Sequence, residues 1–117
     1  MSNMRKDVCV LRVPFSARSF IHGLQAIAMQ MTDKYSEVNL PVYGGSSAIT
    51  TLFLARKMPD SKKIAARIQQ TSETTLEASI IGNGNGDRQT MIHDLVTPLV
   101  DAYQKQYPTI RILQEYS

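Results

Sequence analysis

Phe20, Leu24, Ile27, Ala28, Met31 and Tyr35 recur at intervals of four, three, one, three and four. Only a helix carries residues so spaced on one face, because about 3.6 residues complete a turn. A stripe of this width must be buried against another layer, so the chain needs a sheet or a second helix to receive it. Arg18, His22, Gln25 and Lys34 fall mainly off the stripe. Pro14 and Ser16 open this helix, with Ser16 or Ser19 as its cap. Gly23 costs a helix interior about 1 kcal/mol relative to alanine, which predicts a close neighbouring backbone.

The receiving layer is written in β-branched runs. Val8 to Val13 reads as a first strand ending at Pro14, and Thr74 to Ile81 as a later one. Val38 to Tyr43 is a short candidate that Pro41 restricts to a sheet edge or an extended loop. Residues 48–57 fit a helix through Ile49, Leu52, Phe53 and Arg56, and a strand through Thr50 to Leu54; the balance leans to strand. Pro59-Asp60-Ser61 is a stop-and-start signal, and a helix from about Lys62 to Gln70 is expected to bury Ile64, Ala65 and Ile68. Asp87 caps a last helix whose stripe is Ile92, Leu95, Val96, Leu99, Ala102 and Tyr103. Pro98 should interrupt that helix, with Thr97 capping a second segment. An alternating strand from Thr109 to Glu115 closes the chain.

Helices interleaved with strands in 117 residues predict one globular domain, residues 1–117, of the α/β or α+β class. The expected architecture is a layered sandwich of a four- to five-stranded sheet with about three helices. A ferredoxin-like arrangement is one concrete version and a small three-layer parallel sheet is the other; residues 48–57 decide between them.

Charge is distributed unevenly. Residues 1–67 hold ten cations against four carboxylates, and residues 68–117 hold three against six. Arg56, Lys57, Lys62, Lys63 and Arg67 fall within twelve positions, opposed only by Asp60. On the expected helix Lys63 and Arg67 would lie one turn apart on one face, which could neutralise several phosphates. No aromatic residue interleaves with the run, so a stacking platform for single strands is missing there.

The second distinctive stretch is Gly82-Asn-Gly-Asn-Gly-Asp87. Gly82, Gly84 and Gly86 lie between an expected strand and an expected helix, where free N–H groups can hold a phosphate. The spacing departs from the dinucleotide fingerprint, and acidic Asp87 opposes an anion. Asn83, Asn85, Asp87 and Asp94 match a calcium loop poorly. Gly44-Gly-Ser-Ser47 is a second anion cradle if residues 47–57 are helical, with Ser46 better read as a cap or a turn residue than as a nucleophile.

Cys9 is the only cysteine, which excludes an internal disulfide and points to a buried thiol in a reducing compartment. His22 and His93 make neither a metal site nor a triad by spacing. Neither a secretory signal nor an 18-residue apolar span can be read, so a cytoplasmic location is expected, with no membrane partner, metal or cofactor. Tyr35, Tyr43, Tyr103, Tyr107 and Tyr116 could serve an interface. The favoured expectation is a non-enzymatic binding or regulatory domain that contacts nucleic acid or a phosphate-bearing ligand through the basic helix. A protein–protein adaptor or self-assembling module, as a homo-oligomer, is the alternative. A nucleotide sensor or enzyme built on residues 82–87 is the third reading.

Overall fold

A computed structural model describes residues 8–40, 50–57, 63–81 and 87–116. In chain order the elements are β1 (Val8–Arg12), α1 (Ala17–Gln30), β2 (Glu37–Asn39), β3 (Thr51–Lys57), β4 (Lys63–Gln70), β5 (Thr75–Ile81), α2 (Arg88–Gln106) and β6 (Leu113–Tyr116). The strands form one six-stranded sheet in the order β2-β3-β4-β5-β1-β6, every neighbouring pair antiparallel. β2 to β5 run as a meander. β1 inserts between β5 and β6, so the β5-α2-β6 connection is a split β-α-β unit.

The mixed α and β class stands, with six strands and two helices in place of four to five strands and three helices. Of the ambiguous residues 48–57, Thr51–Lys57 form β3, the strand alternative, while 48 and 49 lie outside the described residues. The expected helix over 62–70 is instead β4, and the reason is periodicity: Ala66 and Ile68 are buried while Arg67 is exposed, a two-residue alternation that matches β3 on one side and β5 on the other. An antiparallel sheet also removes the three-layer parallel alternative.

Both helices pack on one face. Cys9 and Leu11 of β1, Leu52 and Leu54 of β3, Ala66 and Ile68 of β4, and Leu76, Ala78 and Ile80 of β5 alternate inward to meet Phe20, Ile21, Leu24 and Ala28 of α1 and Ile92, Leu95, Val96 and Leu99 of α2. Ser16 caps α1 by accepting from the Ser19 N–H. The helix ends at Gln30, short of Tyr35. Tyr35 is still buried, because the turn after α1 folds its ring under the helices and its hydroxyl donates to the Leu95 carbonyl at 2.5 Å.

Asp87 caps α2, as expected, accepting from the Gln89 N–H and the Thr90 hydroxyl. Contrary to expectation, Pro98 does not divide the helix, which runs unbroken from Arg88 to Gln106. Thr97 caps nothing; its hydroxyl meets the side chains of Gln114 and Tyr116 on β6 at 3.2 and 3.0 Å. The final strand is also shorter than its alternating sequence, beginning at Leu113. The preceding residues are held instead by the Gln104 amide, which donates to the Ile110 carbonyl and accepts from the Ile112 N–H.

Gly23 faces a ring rather than a backbone. A Cβ there would sit 3.0 Å from Cε2 of Tyr103. That ring is pinned edge-on to Phe20 at 4.8 Å and stacked on Phe15 at 6.5 Å, so it has little room to retreat. Gly23→Ala should therefore lose more by overpacking than the roughly 1 kcal/mol it gains in helix propensity. The expected outcome is a lower urea midpoint; a raised midpoint would show that the ring yields.

Candidate anion-binding hairpin

The basic run straddles the β3–β4 hairpin. Lys57 ends β3, Lys63 begins β4, and the two are direct register partners. Facing Cα atoms in an antiparallel pair lie about 4.5–5.5 Å apart, so the register sets two lysine positions directly opposite each other at this end. One rung inward, Arg56 pairs with Ile64.

Among the described residues, neither of these two rungs pairs with β2 or β5. The β2 ladder with β3 stops at Glu37↔Ala55, and the β5 ladder with β4 stops at Ala65↔Ile81. Among the described residues, Arg56, Lys57, Lys63 and Ile64 therefore pair only with each other, with Arg56 half-buried and Ile64 packed against the core. The five connecting residues, 58–62, add Lys62 and Asp60 in sequence and lie outside the described residues.

The five cations do not make one helical face. Arg56 is in phase with Leu52 and Leu54, on the helix side of the sheet, where it is half-buried. Its charge acts on Tyr35, partly opposing the burial that pushes that hydroxyl above its ordinary range. Arg67 is in phase with Ala65 and Gln69, exposed on the opposite side and four residues along β4 from Lys63, or about 13 Å. Arg56, Lys57, Lys62 and Lys63 thus share the hairpin end by chain position, and Arg67 stands apart. A strand reading of residues 63–70 is the signal that would have separated them.

The glycine loop, with Gly82, Gly84 and Gly86, lies outside the described residues, as do Tyr43, Ser46 and Ser47. The helix end into which that loop leads already has two donors engaged by the Asp87 carboxylate. These hydrogen bonds hold the Asp87 pKa below its ordinary value, the Thr90 hydroxyl contributing most.

Cys9 is fully buried beside Tyr116, and burial raises its thiol pKa to about 11. His22 is exposed; His93 is exposed too, its ring 5.7 Å from that of Tyr116. Gln89, Thr90, His93 and Tyr116 line a shallow concavity of about 260 Å³ that sequence spacing could not reveal. Among the described residues no group of three His, Cys, Asp or Glu side chains is placed to hold a metal, and no helix is long and apolar enough to cross a membrane. Of the tyrosines, Tyr35 and Tyr103 belong to the core, while Tyr107 is 43% exposed.

Comparison with protein-family models, with curated proteins and with solved structures finds no match to this chain.

Proposed function

We propose that this protein is a binding module for an anionic partner, nucleic acid in the first instance, engaged by the basic end of the β3–β4 hairpin. The observation that supports this reading most is the pair of rungs, Arg56↔Ile64 and Lys57↔Lys63, that pairs with neither flanking strand among the described residues. A two-stranded ribbon is narrow enough to enter the major groove of a duplex, where its cations meet phosphates on either side. Lys62 adds to the same end in sequence, and Asp60 is the one carboxylate between Arg56 and Lys63. The basic element is a β-ribbon in place of the helix expected from sequence, and Arg67 is not part of it.

Neutralising four phosphates gives a slope of log affinity against log salt of about −3.6. A fluorescently labelled duplex should therefore bind roughly 100-fold more weakly at 200 mM than at 50 mM salt. Lys57→Glu combined with Lys63→Glu should abolish binding while leaving the thermal melt nearly unchanged. Fluorescence polarisation decides it: no binding at low salt, or binding indifferent to the double reversal, would overturn the reading.

A further inference from the structure

The helices cover one side of the sheet. On the other side, rows that follow from the strand register expose Arg67, Glu77, Ile81 and Glu115 among the described residues, while Thr51 and Ala55 of β3 are buried. One row across the sheet is Ala55, Ala65 and Ile81; the next is Phe53, Arg67, Ser79 and Val8; the third is Gln69, Glu77, Val10 and Glu115. Ile81 is 38% exposed and Leu113 59%. Small side chains and partly buried valines make this a face that another sheet can approach to about 10 Å.

We propose that this face docks a second copy of the same chain, sheet against sheet. Its charges select that occupant. The middle of the six-stranded order falls between β4 and β5, and these two strands carry Arg67 and Glu77, both exposed. Neither has an ion pair among the described residues, whereas Arg12 nearby is already bound to Glu115 at 2.5 Å. A two-fold rotation about an axis parallel to the strands lays β4 over β5 of the second copy. Arg67 then faces Ser79 of the second copy, with Glu77 of that copy two residues, or about 7 Å, further along, within reach of an arginine side chain. The symmetry makes the same contact twice, so one surface supplies both halves of its own complement. A foreign partner would have to reproduce that pattern; a second copy carries it already.

Light scattering behind size-exclusion chromatography tests this on the full chain without nucleic acid. The expected mass at high protein concentration is twice 13.1 kDa. Arg67→Glu and Glu77→Arg should each weaken association at least about tenfold, because each sets like charges face to face. The double variant Arg67→Glu/Glu77→Arg should restore it. A chain monomeric at every concentration, or a dimer that survives both single reversals, overturns the proposal. Recovery by the double swap separates loss of docking from loss of folding, and the hairpin cations are untouched throughout.

Discussion

Phe20→Ala is expected to remove about 3–5 kcal/mol of stability, a large part of the 5–15 kcal/mol typical of a domain of this size. Phe20 is fully buried, and its ring meets Tyr103 edge-on at 4.8 Å and Phe15 edge-on at 6.2 Å. Truncation empties the space between the start of α1, the end of α2 and the loop after β1. The neighbours cannot collapse into it easily, because Tyr103 is also held against Tyr107 at 4.8 Å. The chain has no tryptophan, so unfolding in urea is best followed by far-ultraviolet circular dichroism. Met29→Ala, on the same helix but 59% exposed, should change stability by less than about 0.5 kcal/mol. Equal losses from the two variants would contradict the packing described here.

Alkaline conditions should produce the second large effect. Burial raises the Cys9 thiol from 9.0 to about 11, and burial likewise raises the Tyr35 hydroxyl above its ordinary 10.0. Both groups are neutral when protonated. Between pH 9 and 11 the unfolded chain has lost the Cys9 proton that the folded chain keeps, so unfolding is favoured as pH rises. The stabilisation is complete below pH 9 and lost as pH climbs through 11. Two pKa units correspond to about 2–3 kcal/mol, and Tyr35 adds to the loss above pH 10. Cys9→Ala should flatten part of the fall in urea midpoint between pH 8 and 10, the remainder coming from Tyr35, Tyr103 and Tyr116, whose pKa values burial also raises. An identical fall in the wild type and the alanine variant would show that another group controls it.

How much of this was legible in the sequence depended on periodicity. The α1 stripe could be read because Phe20, Leu24, Ile27 and Ala28 share one helical face and no strand pattern competes, although Met31 and Tyr35, counted with them, fall beyond the helix end. Residues 63–70 could not. Ile64, Ala65 and Ile68 suit a helix, Ile64, Ala66 and Ile68 suit a strand, and alanine favours helix in isolation. Pairing with β3 and β5 settles the competition, and those contacts are invisible in a local window. Pro98 misled for a different reason: neighbouring packing of Val96, Leu99 and Val100 offsets one missing hydrogen bond. The cations of the candidate site were visible from the start, but their geometry turned on the same ambiguity. As a helix, residues 62–70 would hold Lys63 and Arg67 together. As the strand β4, residues 63–70 bring Lys63 opposite Lys57 and leave Arg67 on the far side of the sheet from Arg56.

The placement of β1 has a consequence for how the chain comes off the ribosome. The meander from β2 to β5 needs only neighbours in sequence, yet the slot for β1 is bounded by Thr75–Ile81 on one edge and Leu113–Tyr116 on the other. The apolar Val8-Cys9-Val10-Leu11 segment is therefore synthesised long before either of its hydrogen-bonding edges exists. During that interval its backbone N–H and C=O groups have neither of the two edges that pair with them in the fold.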